Sequence, residues 1–396
     1  MGSMAETFPN PLREVHRQAE AEFQDWAEIE IVQTFGEPQA EYSAIHKAAG
    51  LMDLPQRGIL ELTGKDRLPF LNNLLTNQTW DKSKKTGLAV GQGVYAFLLN
   101  LRGRVVLDVN VLELADRTLL EMDVRFVESL RLVLDKYLFA EQVKLANRVG
   151  QLHEIALHGP GARELLNASL GSPLQNTIAK INDTEAIIWR DDPAGVEGYY
   201  LIVPTENVRS LWMNLVSQFG VAEANKRRLR PVGWAAFNAA RIEAGRPMLG
   251  IDFDTAAIPT ALPGKREPGV EESSAGALAA ETGLFDRAVS VTKGCYLGQE
   301  IVARMHARGQ VARQVVGIRM EDSALPLAGA QVFDDQSNVV GVITSSTVSP
   351  LLSNAAICLG TVKRPLLALG SKLHVPAEGA MHVGTVVKLP FVGGEA

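Results

Sequence analysis

Apolar positions along the chain follow two periods. They predict mixed helices and strands up to residue 245 and short strands alone after residue 310. Leu12, Val15, Ala19, Phe23 and Trp26 fall on one helical face, so a helix is predicted over 12–26, and a second over 42–52. Residues 57–63 alternate as a strand. Gly64-Lys-Asp66 then opens a helix carrying Leu68, Leu71, Leu74 and Leu75. An apolar run at 94–99, a turn at Asn100-Leu-Arg-Gly103 and a long alternating stretch at 104–114 predict a hairpin, with Val105, Leu107, Val109 and Val111 on one face and Arg104, Asp108 and Asn110 on the other. A strand at 117–123 and a helix at 124–138 complete that block. A second block repeats the mixture: strands at 152–157, 186–190 and 199–203, and helices at 161–168, 205–219 and 231–245. Two blocks of similar size hint at a duplication, without a residue-level repeat. Residues 264–279, rich in Gly, Pro, Ser, Ala and charge, predict a mobile loop. Six strands at 315–320, 330–333, 339–348, 356–362, 372–375 and 384–389 predict a small barrel or sandwich.

Composition narrows the class of protein. With 46% hydrophobic and 21% charged residues the chain has the balance of a folded protein, and 396 residues exceed one ordinary core. A net charge of -6 excludes a whole-molecule footprint for nucleic acid. No apolar run reaches the length of a membrane span and residues 1–10 carry no apolar signal core, so a cytoplasmic location is expected. Cys295 and Cys358 belong to no CxxC or Cys/His cluster, so neither a metal cage nor, in a reducing compartment, a disulfide is expected.

Candidate chemistry gathers at Lys293-Gly-Cys-Tyr-Leu-Gly-Gln-Glu300, a turn punctuated by Gly294 and Gly298. Lys293, Arg304, His306, Arg308 and Arg313 lie near Cys295 in sequence, with Glu300 opposing. Clustered cations favour a thiolate and attract the carboxylates of an anionic ligand; the alternative is a small structural thiol among solvated arginines. Cys358, in an apolar run, reads as core. Glu243 sits near a helix C-terminus, where a carboxylate is unfavourable. It is either a two-point acceptor for an amidine-like ring edge, the geometry of a pterin, or one half of an ion pair with Arg241 or Arg246. Asp108 either lines a cavity with Asn110 or pairs with Arg102 or Arg104. Gly91-Gln-Gly93-Val-Tyr-Ala96 imitates a dinucleotide fingerprint, but a strand follows it where a helix is needed. His153 and His158 fall on opposite faces of a strand and form no metal pair. Asn77-Gln-Thr79 is a chance sequon, and 226–230 is a short basic run on an acidic chain.

Taken together, these segments resemble the folate-binding YgfZ family, relatives of the glycine-cleavage T-protein, an aminomethyltransferase. The segment from Lys293 through Arg304 is similar to that family's signature. Ala49-Gly-Leu-Met-Asp53, Leu71-Asn-Asn-Leu-Leu-Thr-Asn77, Leu99-Asn-Leu-Arg-Gly-Arg104, Gly198-Tyr-Tyr-Leu-Ile-Val-Pro204 and Arg241-Ile-Glu-Ala-Gly245 extend the match over most of the chain. Only the first 40 residues and the 264–279 loop are peculiar to it.

The resemblance implies an α+β fold, a three-module cloverleaf around a central hole holding tetrahydrofolate, with a folate-binding region over 1–310 and a small β-barrel over 311–396. It implies that Cys295 is the functional cysteine. Asp108, Asn110, Glu243, Lys293, Tyr296, Arg304 and Arg313 would line the folate site, Glu243 holding the pterin and the arginines attracting the glutamate tail. Gly103-Arg-Val-Val-Leu-Asp108 departs from the T-protein pattern, which has paired acids there: Leu107 replaces the first, and a leucine shuttles no proton. That difference points to the YgfZ side, whose members support iron–sulfur enzymes, including tRNA-modifying methylthiotransferases, as assembly or repair factors. Folate and iron–sulfur client enzymes are then the expected partners, and folate-dependent aminomethyl transfer is the alternative.

Overall fold

The computed structural model describes residues 10–220, 227–256, 275–309 and 311–393. Most of the predicted loop at 264–279 (264–274), residues 1–9 and Lys226 of the basic run lie outside the described residues, as does the side chain of Arg308.

Two compact units emerge. The first is built from Met1–Leu71, Thr79–Tyr95 and Val109–Phe237, and the second from Asn72–Gln78, Ala96–Asp108 and Asn238–Ala396. In the first, a six-stranded sheet runs in the order Asn176–Ile181, Thr184–Arg190, Gly198–Pro204, Leu152–His158, Gly50–Asp53 and Arg230–Pro231. Its pairs are antiparallel except the last, where Arg230 and Pro231 lie parallel to Gly50 and Leu51. Helix Thr205–Phe219 turns Val208, Leu211, Trp212 and Leu215 onto Ile155, Leu157, Leu201 and Val203 of that sheet, all buried. The match of a 3.6-residue stripe to a period-two face is what closes this core.

A second sheet orders Lys144–Asn147, Arg57–Thr63, Arg117–Asp123, Val105–Glu113 and Gly93–Leu99. The strand Gly93–Leu99 directly follows the Gly91 turn, so the glycine fingerprint has no helix to place at a phosphate. Along Val105–Glu113 every residue except Asp108 is buried. The predicted two-faced alternation is overridden because both faces of this strand are covered.

In the second unit six strands close a barrel in the order Arg313–Met320, Ala355–Lys363, Val339–Ser349, Gln331–Phe333, Lys372–Ala377 and Ala380–Val387. Ile318, Val332, Ile343, Leu373 and Val375 fill it, together with Cys358, whose thiol burial pushes up to about 12. The second cysteine is a core residue, as its sequence context predicts.

Three local expectations fail. The helix expected over 12–26 stops at Arg13–Gln18. Glu20 takes a left-handed φ of 57°, and Glu22–Trp26 pairs with Ile29–Thr34 as a hairpin whose Ala27 and Glu28 both have positive φ. Phe23 and Trp26 fit the helical stripe by coincidence, whereas two left-handed residues in succession fit the twist of a tight hairpin turn. The helix expected over 42–52 spans Pro38–Lys47 and gives way to the fully buried strand Gly50–Asp53. Finally, a helix, Gln299–Arg308, follows the cysteine turn where none was expected; left-handed Gly298 and Gly309 bound it.

Candidate functional site

The motifs singled out in the sequence come from three distant stretches, and 72–78, 96–108 and 238–396 share one unit. Lys293 does much of the joining. It is 7% exposed, and its Nζ donates to the backbone carbonyls of Asn72 (2.7 Å), Asn77 (3.1 Å) and Leu75. The same ammonium lies 4.8 Å from the centre of the Tyr296 ring. Tyr296 is buried, which pushes its phenol up to about 12. Asn77 donates its side-chain amide to the Arg287 carbonyl, and Thr76 Oγ1 donates to Ala288, so the Leu71–Asn77 motif and the segment before Cys295 are laced from both sides.

A second contact joins the Asn100–Gly103 turn to the same loop. Asn100 Oδ1 accepts from the backbone N–H groups of Arg102 and Arg104, both at 3.0 Å, which fixes the turn. Gly298, at φ 78°, lies so close that a Cβ there would stand 2.5 Å from the Asn100 carbonyl oxygen, and a Cβ on Gly103 would meet Ile301 at 2.8 Å. Both glycines are therefore required by close approach as well as by backbone conformation.

On this frame Gly294 and Cys295 are exposed while Lys293, Tyr296 and Leu297 are buried. The cations that crowd Cys295 in sequence have other engagements. Lys293 is held by carbonyls, Arg304 pairs with Glu300 at 2.7 Å, and Arg313 and Arg104 face Glu281 at 3.6 and 3.7 Å. His306 stacks on Phe285 with ring centres 5.7 Å apart. Glu243 is 1% exposed; its Oε1 accepts from Ser349 Oγ, and its backbone carbonyl accepts from Phe391 and Val392. Arg241 forms a buried pair with Asp252 at 2.6 Å. Leu107 is fully buried and Asp108 half-buried.

The first unit holds a polar cluster that sequence reading passed over. Asn110, 8% exposed, donates its amide to Glu121 Oε2 at 2.7 Å, and Glu121 Oε1 accepts from Arg57. Glu154, on strand Leu152–His158 of the six-stranded sheet, accepts at Oε1 from Trp189 Nε1 at 2.7 Å, and Trp189 stacks on Tyr200 with centres 4.2 Å apart. Burial, then the adjacent Glu121 charge, raises Glu154 well above the ordinary carboxylate range, against the pull of Arg57. Glu154 Oε2 is buried without a hydrogen-bond partner, and the neighbouring Glu121 carboxylate favours its protonated form. Both carboxylates interrupt apolar strand sequence, at Leu119-Leu-Glu-Met122 and Glu154-Ile-Ala-Leu157, and that was the available signal.

This arrangement has a pH consequence. Because the folded-state pKa of Glu154 is raised, its stabilising contribution is complete below the unfolded carboxylate pKa and declines as pH rises toward the folded value. Glu154→Gln, permanently neutral, is expected to abolish that decline. Thermal melts from pH 5 to 9 should show the variant gaining on the wild type as pH rises; parallel curves would refute a protonated Glu154.

Other histidines are accounted for. His16 and His153 flank the buried Asp53 carboxylate at 2.9 and 2.6 Å, and Asp53 is held well below the usual range by both. His158, enclosed by Tyr200 and Phe237, is pushed down to about 4 by burial. Among the described residues no group of three or more His, Cys, Asp or Glu side chains is arranged to hold a metal ion, and no helix is long and apolar enough to cross a membrane.

Comparison with known proteins fits this architecture. Residues 12–262 match the GCVT N-terminal domain and residues 313–393 match the glycine cleavage T-protein C-terminal barrel domain. The chain therefore belongs to the glycine cleavage T-protein family. It is 26% identical over 392 residues to an aminomethyltransferase of Chloroherpeton thalassium, covering 96% of this chain and 98% of that one. It is 28% identical over 394 residues to an aminomethyltransferase of Chlorobium chlorochromatii, covering 95% and 96%. The crystal structure of the glycine cleavage system aminomethyltransferase T from Bartonella henselae superposes with a TM-score of 0.79 over 96% of this chain and 97% of that one, at 23% identity, which establishes the shared fold.

Proposed function

We propose that this protein binds a reduced folate and acts in folate-dependent transfer of a one-carbon unit, of the aminomethyltransferase kind. The observation that carries the reading is the end-to-end similarity to proteins named aminomethyltransferase, across both the N-terminal domain and the barrel. The residues present fit such a ligand at one point in particular: a buried amide oxygen on Asn110 has no donor, and a reduced pterin offers several N–H groups. Bound folate would supply the nitrogen that accepts the one-carbon unit. The protein's part would be to bind and orient it, with Asp108 as the acid of the Val105–Glu113 strand.

Two measurements test this. Titration with tetrahydrofolate should give saturable binding, and Glu243→Ala reports on the proposed ring-holding role of that carboxylate. Methylenetetrahydrofolate formation from an aminomethyl donor should be detectable and should fall by about 10²-fold in Asp108→Asn if that acid handles a proton. Folate binding without any turnover would exclude transfer.

A second reading is favoured by the loss of the first acid to buried Leu107 and by the exposed Cys295. In it the protein is a folate-dependent accessory factor of the YgfZ kind, supporting assembly or repair of iron–sulfur clusters in client enzymes. Cys295→Ala would then abolish support of those enzymes in cells while folate affinity is retained. Full complementation by the variant would remove the thiol from the mechanism.

A further inference from the structure

The orientation of the Asn110 amide is determined by its neighbours. Glu121 carries Arg57 on Oε1 and receives the Asn110 contact at 2.7 Å on Oε2. A carboxylate so placed only accepts, so the NH₂ end of Asn110 must face it. The Arg57 guanidinium on the other oxygen holds Glu121 in the accepting role, and Glu154 beside it takes its own hydrogen bond from the Trp189 N–H. The consequence falls on the other end of the amide. Asn110 Oδ1 has under 1 Å² of exposed surface and no hydrogen-bond donor. A buried acceptor left in that condition is destabilising, and a ligand N–H would recover the loss.

We infer that Asn110 is a ligand-binding residue that accepts a hydrogen bond from a ring or exocyclic N–H of a nitrogen heterocycle, and that Glu121 is its positioning residue. The resemblance places Asn110 at the folate site; the contact to Glu121, itself held by Arg57, defines which polarity it presents there. A site built this way selects donor-bearing rings and discriminates against a ring that offers a lone pair at the same point. The inference rests on the folate reading for the identity of the heterocycle, and the probe is tetrahydrofolate.

Full-length protein and its variants are titrated calorimetrically with tetrahydrofolate at pH 7. Asn110→Ala is expected to weaken binding about 10-fold, the equivalent of one hydrogen bond to a buried acceptor. Asn110→Thr, suited to a strand and able to donate to Glu121 but too short to present an outward acceptor, is expected to lose as much and serves if the alanine variant melts early. Glu121→Gln should match that loss, because a glutamine can donate to Asn110 and lets its amide turn over. Wild-type-like affinity in Asn110→Ala and Asn110→Thr, the result if solvent alone satisfies Oδ1, overturns the inference, as does wild-type-like affinity in Glu121→Gln. Failure of the wild type itself to bind tetrahydrofolate overturns the folate reading and the ligand named here with it.

Discussion

Asp252→Ala is expected to lower folding stability by about 3–5 kcal/mol, because it strands a buried guanidinium. Both side chains of the Arg241–Asp252 pair have no solvent exposure. Arg241 Nη1 reaches Asp252 Oδ2 at 2.6 Å, Nη2 donates to Ser345 at 2.7 Å, and Nε donates to Asn238 at 2.9 Å. Asp252 also accepts from Met248 N, Thr344 Oγ1 and Ser345 Oγ, so one carboxylate ties a helix, its following loop and a barrel strand. Removing it leaves the charge desolvated and takes one acceptor from each of four donors, of which Thr344 Oγ1 retains the Leu359 carbonyl and Arg241 Nη1 the Arg246 carbonyl. The double variant Arg241→Met/Asp252→Leu should recover most of the loss, since a buried pair exchanged for apolar residues costs little. Urea denaturation decides the matter: a single-variant loss under 1 kcal/mol would show that the pair is not buried in solution.

Lys293→Met is the second large effect, expected at about 2–4 kcal/mol and confined to the cysteine loop. Three carbonyls lose their common donor, at about 1–3 kcal/mol each, while release from burying an ammonium offsets part of the sum. Hydrogen exchange should report lost protection at Lys293 and Ser290, whose backbone N–H groups bond Ser290 Oγ and the Thr76 carbonyl. Protection unchanged from the wild type would mean that Lys293 does not hold the loop. The functional corollary is that Cys295 depends on a buried lysine for its position, which differs from the expectation that the lysine tunes the thiol by proximity.

Helices Val124–Lys136 and Thr205–Phe219 and the barrel strands were legible because long periodic stripes and Gly-bounded runs survive in one dimension. The break after Gln18 was not, because Phe23 and Trp26 satisfy either period and only the left-handed backbone at Glu20, Ala27 and Glu28 separates them. The motifs 71–77, 99–104 and 293–304 could be named from sequence, yet what they do for one another could not. Gly298 reads in sequence as a flexible position; in the fold it is where the Asn100 turn approaches too closely for any side chain. Likewise the arginines near Cys295 looked like its electrostatic setting, and their carboxylate partners at Glu281 and Glu300 redirect them.

By itself, then, the sequence determined most of the succession of elements, the all-strand character of the C-terminal end, the core character of Cys358 and the relationship to the T-protein family, because each is written in local periodicity or in contiguous motifs. Only the tertiary structure decided the state of the polar groups: that Lys293 is a buried clamp, that Arg241 belongs to Asp252, and that Asn110 donates to Glu121 and keeps a buried oxygen without a partner. Those states depend on desolvation and on partners up to about two hundred residues away in sequence, and neither quantity is visible until the chain has folded.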